Sequence, residues 1–424
     1  MMVAARSDQA QPRTRLARRL GLGDAVVIGL GSMIGAGVFA AFGPAAEAAG
    51  SALLVGLALA AVVAYANALS SAELAAVYPQ SGGAYVYGRE RLGTFWGFFA
   101  GWGFVIGKTA SCAAMALTFG AYTAPSLARP FAVGAVVALV GVNYLGIDKT
   151  ANATRAIVAV VVVSLALVVV ACLFGGEADA DRLTPIFGTG GVYGILQAGG
   201  ILFFAFAGYA RIATLGEEVR DPQRVIPRAI PLALGVTLVI YATVAVSALA
   251  AVGDEALADS SSPLATAVAA GSLSSLAPVV RVGAAVASLG VLLSLLAGVS
   301  RTAFAMADNR DLPHWLAAVH PRYRAPHRAE LAIGAVVVAV VSVADVRSAI
   351  GFSSFAVLLY YAIANASALT LTRGERRWPP VVPALGLVGC LVLAFALPVV
   401  SVALGAAIVF AGAAAHLALR RRPG

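Results

Sequence analysis

The sequence predicts an all-α integral membrane protein with about twelve transmembrane helices. Its 424 residues are 60% hydrophobic and only 12% charged, whereas a typical soluble protein has about 25% charged residues. The apolar residues occur in long uncharged blocks, such as 156–174 and 282–300. A lipid core about 30 Å thick needs about 20 helical residues to cross it, and a helix satisfies its own backbone groups there. The blocks are therefore predicted to be transmembrane helices.

Twelve such blocks follow one another, and no segment between them is long enough to form a soluble domain. The longest polar connections are 73–91, 217–228, 253–281 and 306–330. The predicted spans are 24–49, 51–72, 92–124, 131–147, 156–174, 191–216, 229–252, 282–305, 331–344, 348–372, 380–397 and 399–419.

Lysine and arginine are distributed unevenly between the two sides of this arrangement. Of the 29 basic residues, 24 fall in the tails, 1–23 and 420–424, or in the cytoplasmic connections at the ends of the even-numbered spans. The opposite side holds only four, and Lys108 lies within the third span. Because basic residues remain on the cytoplasmic side, both termini of this multi-pass plasma-membrane protein are predicted to be cytoplasmic. The net charge of +9 is then a topology signal and does not indicate a nucleic-acid partner.

Neither a cofactor nor a metal is expected. The three cysteines, Cys112, Cys172 and Cys390, fall inside predicted spans as small packing residues. The four histidines show no HExxH pairing, and no GxSxG or GxxxxGK[ST] motif occurs, so an enzyme or an ATP-driven pump is not predicted. A channel or a non-transporting sensor is the alternative to a transporter, and saturable, stereoselective uptake separates a transporter from both.

The first span contains Gly29, Gly31, Gly35 and Gly37 within the apolar stretch "GLGSMIGAGVFAAFGP" (29–44). Each glycine weakens a helix interior by about 1 kcal/mol relative to alanine, and a broken helix persists in lipid only where it lines a cavity or binds something. Freed N–H groups suit a carboxylate, and freed carbonyls suit an ammonium group or a cation. An amino acid carries both groups. The alternative is a small-residue packing face, since Gly31 and Gly35 have GxxxG spacing.

The sixth span has the same character, because "GGILFFAFAGYARIATLGEE" (199–218) combines glycines with aromatic residues. Interrupted segments at matching positions of two halves indicate a transporter site. Spans 1 and 6 are five apart, so equivalent helices run in opposite directions. The sequence therefore predicts an inverted repeat of 24–174 and 191–372, followed by two additional spans within 380–419. Spans 1 and 6 are predicted to be unwound near 33–37 and 204–208.

Four segments carry a more specific signal: 31–39 of the first span, "YPQSGGAYVYGRERLG" (78–93), "FFAFAGYARIATLGEEVRDPQRVIPRAI" (203–230) and "SRTAFAMADNRDLPHWLAAVHPRYRAPHRA" (300–329). In this order they resemble motifs of the amino acid–polyamine–organocation superfamily, and within it the bacterial amino acid permeases. The resemblance runs over most of the chain. It implies a five-plus-five inverted repeat with discontinuous helices 1 and 6.

The resemblance also implies a substrate site. The carboxylate would meet N–H groups around Gly35, Ala36 and Gly37, although the family usually has serine where Ala36 sits. The ammonium would meet carbonyls of Met33, Phe204 and Ala207, beneath an aromatic lid. Relatives often have a carboxylate where this chain has Ala210, so a neutral or apolar amino acid is favoured over arginine or polyamines. The implied binding residues are Met33, Ile34, Gly35, Ala36, Gly37, Phe203, Phe204, Phe206, Ala207 and Ala210.

Lys108 is the candidate for coupling transport to protons. Several relatives use a lysine in span 5, near Val161 here, but span 5 of this chain has no charge. A charge at membrane depth costs at least about 2.5 kcal/mol, which makes Lys108 a functional candidate. The alternative is that it snorkels or pairs structurally. At the cytoplasmic end of span 6, Arg211, Glu217 and Glu218 are candidates for an inner gate or, alternatively, a solvated salt-bridge network.

The sequence therefore predicts a permease that moves a small-molecule amino acid through the lipid bilayer, with the proton as the candidate coupling ion. An exchanger or uniporter without proton coupling and an amine or polyamine transporter are the alternatives.

Overall fold

The computed structural model describes residues 20–78, 82–146, 151–188, 190–213 and 219–420. These residues are almost entirely helical, and their only β pairing is a single bridge between Leu20 and Val219. The helices are α1 (Leu22–Met33), α2 (Ala36–Ala40), α3 (Phe42–Ala49), α4 (Leu53–Val77), α5 (Ala84–Arg91), α6 (Thr94–Thr123), α7 (Ala128–Tyr144), α8 (Ala151–Phe174), α9 (Gly191–Phe206), α10 (Ala210–Ala213), α11 (Pro222–Asp259), α12 (Pro263–Ala269), α13 (Ala277–Asp308), α14 (His327–Val343), α15 (Val346–Leu369), α16 (Val381–Ala396) and α17 (Val399–Arg420).

Ten helical stretches of the described chain are long and apolar enough to cross a membrane. They correspond to predicted spans 1–8, 10 and 12. The two others, α14 and α16, have 17 and 16 residues. At 1.5 Å per residue each is about 25 Å long, which is slightly less than the hydrocarbon core. The expectation of an all-helical, multi-pass membrane protein is confirmed.

Two helices occupy segments that the sequence analysis assigned to polar connections. In α5, Ala84, Tyr85 and Tyr87 are buried although the helix has no marked apolar stripe. In α12, Pro263 opens the helix and Leu264 is buried. Both helices are stabilised by packing against the bundle, so hydropathy alone did not reveal them.

The long helix α6 runs through the middle of the bundle and packs against α13 and α15. Small residues allow the close approach to α15: a Cβ on Gly107 would lie 2.9 Å from the Ala356 Cβ. One turn further, the hydroxyls of Ser111 and Ser353 form a buried hydrogen bond of 2.7 Å. These contacts hold α6 beside the helices that carry the candidate site.

Polar clusters connect the helices at both ends of the bundle. At the predicted cytoplasmic end, the buried Asp311 carboxylate accepts hydrogen bonds from Tyr85 (2.8 Å) and Arg89 (3.0 Å). Burial raises the pKa of Tyr85 to about 12, and the hydrogen bond to Asp311 is the second cause of this rise. The Tyr85 hydroxyl therefore remains protonated at neutral pH. At the opposite end Arg347 pairs with Glu47, which joins the start of α15 to α3.

Candidate functional site

The first span is interrupted at two residues. Helix α1 ends at Met33, Ile34 has non-helical angles (φ −75°, ψ 68°), and Gly35 is extended (φ −125°, ψ −155°). Helix α2 then begins at Ala36. The first N–H groups of a helix have no intrahelical acceptor, so those of Ala36 and Gly37 are available to a ligand. The interruption lies within the predicted stretch 33–37, although the helix resumes at Ala36.

The sixth span changes conformation later than predicted. The stretch 204–208 was expected to be unwound, but α9 remains helical through Phe206. A 3₁₀ turn then covers Ala207–Tyr209, and the short α10 follows. A 3₁₀ turn within a span frees backbone groups at that point. The carbonyl of Phe204 takes part in a local hydrogen bond, because it accepts the N–H of Ala207.

The two interrupted spans pack directly against each other. A Cβ on Gly37 would lie 2.9 Å from the Ala205 Cα, and one on Gly208 would lie 2.1 Å from the Ser32 carbonyl oxygen. No real side chain fits at such distances without moving the backbone. Glycine at these two positions is therefore a requirement of the contact between spans 1 and 6.

The glycines of the first span do not form one GxxxG face. A Cβ on Gly31 would meet Val158 of α8 at 2.8 Å, whereas one on Gly35 would meet Val291 of α13 at 2.3 Å. Gly31 lies before the interruption and Gly35 lies within it, and the two residues contact different helices. The alternative interpretation as a single packing face does not describe this arrangement.

A tyrosine of α11 joins the two interruptions. The Tyr241 hydroxyl lies 2.5 Å from the Met33 carbonyl oxygen and 3.1 Å from the Ala205 carbonyl oxygen. One hydroxyl has one proton, so the two carbonyls share it. The Tyr241 ring packs on Phe206, with centroids 5.1 Å apart. A carbonyl assigned to the substrate ammonium thus accepts a protein hydroxyl here.

A second tyrosine, Tyr361 of α15, occupies the equivalent place at the sixth span. Its hydroxyl donates to the Ala207 carbonyl at 3.2 Å. The Tyr361 ring stacks on Tyr209 at 5.0 Å and meets the edge of Phe203 at 5.7 Å. Phe203 and Phe206 are completely buried by these contacts, whereas Phe204 is only partly buried. The structure therefore brings the three phenylalanines to the same break, in different environments.

The remaining site residues lie as follows. Met33, Ile34, Gly35, Gly37 and Ala207 are buried, and Ala210 begins α10. Glu217 and Glu218 lie outside the described residues. Arg211 lies in α10 and is exposed. Further along the chain, the Arg220 N–H donates to the Leu20 carbonyl at 2.9 Å. This hydrogen bond joins the segment after span 6 to the start of span 1.

Lys108 is buried in α6, with 8% of its surface exposed. It lies one turn from Cys112 and next to Gly107, which contacts α15. Among the described residues it forms no ion pair within 4.0 Å. A lysine without a close counter-charge in an apolar helix is costly, so α6 contains a buried charge that packing alone does not explain.

Three relevant residues were missed from the sequence. Tyr241 and Tyr361 gave no signal, because their partners are backbone carbonyls far away in the chain. Glu330 lies just outside the predicted ninth span, yet it is 3% exposed. The signal for Glu330 was an acid in the first turn of an apolar segment. Among the described residues, no group of three or more histidine, cysteine, aspartate or glutamate side chains could hold a metal ion.

The chain was compared with known proteins. The profile of a family described as amino acid permease matches residues 20–415. An uncharacterized transporter of Mycobacterium tuberculosis is 65% identical over 401 residues, covering 95% of this chain and 91% of that protein. The branched-chain amino acid permease BcaP of Bacillus subtilis is 25% identical over 411 residues, covering 89% and 88%. The cationic amino acid transporter 4 of Homo sapiens is 28% identical over 400 residues, covering 87% of this chain and 62% of that protein.

Proposed function

The chain belongs to the amino acid permease family, and we propose that it is a secondary active transporter that moves neutral or apolar amino acids across the plasma membrane by alternating access. Its relatives are transporters and permeases, not enzymes. The observation that carries the proposal is the contact between two interrupted spans whose backbone groups meet at one place. Such a place offers N–H groups and carbonyls together, as the backbone of an amino acid requires.

In this proposal the substrate carboxylate binds the N–H groups of Ala36 and Gly37, next to Gly35. The ammonium binds the carbonyls of Met33 and Ala207. Both carbonyls accept tyrosine hydroxyls in the structure, so the substrate ammonium competes with Tyr241 and Tyr361. Exchange of a neutral donor for a charged one strengthens the hydrogen bond, which favours the bound state.

The side-chain pocket is proposed to be apolar. Phe203 and Phe206 form its buried wall, and the half-buried Phe204 is the part of the lid that is free to turn. Ala210 carries no charge, which supports neutral substrates, as does the branched-chain permease among the relatives. The relative named for cationic amino acids keeps an amine or polyamine transporter as the second candidate.

Proton coupling through Lys108 is part of the proposal, and exchange or uniport without a proton is its alternative. The deciding experiment is uptake of all twenty radiolabelled amino acids into liposomes that contain the purified protein, with and without a pH gradient. Saturable, stereoselective uptake of apolar amino acids supports the proposed substrate class. Equal uptake of D and L forms, or conduction without saturation, contradicts a transporter of this kind.

We further propose twelve spans in a five-plus-five inverted repeat, with α14 and α16 as the ninth and eleventh, and both termini in the cytoplasm. The charge distribution supports this topology. In a variant without native cysteines, S7C and G424C are expected to resist an impermeant maleimide in intact cells. F187C, on a strongly exposed residue of the opposite side, is expected to react. Labelling of S7C or G424C in intact cells contradicts the topology.

Tyr241→Phe is expected to lower the rate of amino acid exchange about tenfold. Loss of a buried hydrogen-bond donor costs about 1–3 kcal/mol, and the substrate-free state bears this cost, because no hydroxyl then replaces the ammonium at the Met33 carbonyl. Release of the substrate, and with it exchange, is therefore slower, while the ring remains on Phe206. Exchange in liposomes and thermal stability are measured together. The matched control is Tyr65→Phe, because the Tyr65 side chain is exposed. Unchanged exchange in Tyr241→Phe contradicts a role of this hydroxyl in the site.

A further inference from the structure

Glu330 is a buried carboxylate that the proposed transport cycle does not yet use. It lies in the first turn of α14 and is 3% exposed. The side-chain amide of Asn143, at the end of α7, donates to it at 3.0 Å. An acid in a first turn is favoured by the helix dipole, but burial of the carboxylate opposes that gain. Its position therefore requires partners from other helices.

Each helix packed around Glu330 contributes a group. From α13, Arg301 contributes a positive charge near the carboxylate, and the buried Ser300 hydroxyl, which has no hydrogen-bond partner among the described residues, belongs to the same surroundings. From α6, Cys112 lies within reach of the charges of both Glu330 and Lys108. Glu330 and Lys108 form no ion pair within 4.0 Å among the described residues. The two buried charges are thus near the same thiol without neutralising each other by contact.

His327 lies at the start of α14, in the same first turn as Glu330. It lies three residues earlier in α14, so the two side chains share a face of the helix. His327 is partly exposed, and its buried Nδ1 has no hydrogen-bond partner among the described residues. Its ring meets the edges of Tyr144, at 6.2 Å, and His320, at 5.3 Å. A partly exposed imidazole with an unpartnered nitrogen therefore lies one helical turn before the carboxylate, where the preceding loop enters α14.

Glu330 is also connected to the substrate site. The Asn143 amide that donates to Glu330 donates its second proton to the Leu293 carbonyl of α13, at 3.3 Å. Two residues away on α13, Val291 packs against Gly35, where a Cβ would lie 2.3 Å from the valine methyl. A change in how Asn143 is held therefore acts on the helix that contacts the interruption of span 1.

We propose that Glu330 is a second group that binds the coupling proton, in addition to Lys108, that His327 delivers the proton to it from the cytoplasmic side, and that Asn143 and α13 transmit its arrival to Gly35. This assignment rests on the proposed transport function. The His327 imidazolium gives its proton to a Glu330 oxygen, which leaves a neutral imidazole and a carboxylic acid. The acid no longer holds the Asn143 amide by its charge, because a neutral acceptor forms a weaker hydrogen bond than an ionised one. The reverse transfer restores the carboxylate.

The test uses Glu330→Gln, which keeps the shape of the side chain and an oxygen for Asn143 but cannot take up a proton. Radiolabelled L-leucine is the probe in liposomes that contain the full chain. The measured quantity is the ratio of accumulation driven by a pH gradient to exchange at equal pH. A gradient of about two pH units can supply up to about a hundredfold accumulation. We expect the ratio to fall at least about tenfold in Glu330→Gln and to be partly restored in Glu330→Asp.

Glu73→Gln is the matched control. Glu73 is as buried as Glu330, but within the described part of the chain its carboxylate accepts hydrogen bonds only from the backbone N–H groups of Arg377 and Trp378. We expect this variant to keep the wild-type ratio even if its thermal stability falls. An unchanged ratio in Glu330→Gln, or an equal fall in Glu73→Gln, overturns the assignment of Glu330.

Infrared difference spectroscopy tests the protonation step without any substrate. The spectrum at about pH 5 minus the spectrum at about pH 9, a range wide enough to titrate perturbed carboxyl groups, is recorded for the wild type and Glu330→Gln. We expect a carboxylic acid C=O band that the variant lacks. After a rapid drop in pH over the same range, this band is expected to appear more slowly in His327→Gln than in the wild type. The same band in both proteins overturns the proposal. Absence of leucine exchange in the wild type contradicts the proposed substrate class instead, so the two failures are distinguishable.

Discussion

Replacing Gly37 with leucine is expected to abolish substrate binding and transport while the protein remains folded in the membrane. A Cβ at this position would lie 2.9 Å from the Ala205 Cα, so the larger side chain separates the two interrupted spans and fills the space beside the N–H groups. Overpacking of this kind costs about 1–3 kcal/mol, and we expect transport to fall at least about a hundredfold. The measurements are uptake into liposomes and thermal stability with and without amino acid.

A glycine in open space provides the control. At Gly134 in α7 a Cβ has no neighbour within 4 Å, so Gly134→Leu should keep both uptake and the thermal shift on substrate addition. A ligand stabilises only the state that it binds, so a Gly37→Leu protein that still shows the wild-type thermal shift contradicts the placement of the site.

Replacing Lys108 with alanine is expected to eliminate uptake driven by a pH gradient, while exchange at equal pH continues. The lysine is buried in α6, beside the helices that contact the broken spans. Loss of its proton removes a charge from a low-dielectric region, which biases the equilibrium between inward-facing and outward-facing states. Shifting such an equilibrium from 1:99 to 99:1 takes about 5.5 kcal/mol, and a buried charge can supply a large part of it.

Lys108→Arg separates coupling from structure. Arginine keeps the positive charge but remains protonated in proteins, so a coupling lysine is not replaced by it, whereas a structural cation is. We expect gradient-driven uptake to be lost in both variants. Near wild-type uptake in Lys108→Arg, or in Lys108→Ala, shows that Lys108 does not exchange the proton.

The helical bundle follows from hydropathy because lipid removes every alternative to a helix for a long apolar block. The ends of the spans were less predictable. Helix α11 begins at Pro222, seven residues before predicted residue 229, because amphipathic turns continue the helix beyond the apolar block. Near the predicted end at residue 252, α11 is kinked, because Gly253 takes a positive φ of 78°.

The candidate site was predictable where it depends on backbone and hidden where it depends on packing. Glycines at 35, 37 and 208 are visible as helix-weakening residues within apolar spans. The tyrosines that meet the freed carbonyls come from α11 and α15, and Tyr241 lies 208 residues from Met33. No local pattern reports a contact over that separation. The sequence also placed the sixth-span break too early, since packing of Phe206 on Tyr241 keeps that turn helical.

The bridge between Leu20 and Val219 couples the movements of two segments, the start of span 1 and the chain that follows span 6. The Arg220 N–H holds the Leu20 carbonyl at 2.9 Å, so the chain before α1 is fastened to the chain after span 6. If one of these segments moves without the other, this hydrogen bond breaks. The net cost is about 1 kcal/mol, which lowers the population of such a state about fivefold. Arrangements in which only one of the two segments has moved are depleted by that factor. The two segments are therefore expected to move together.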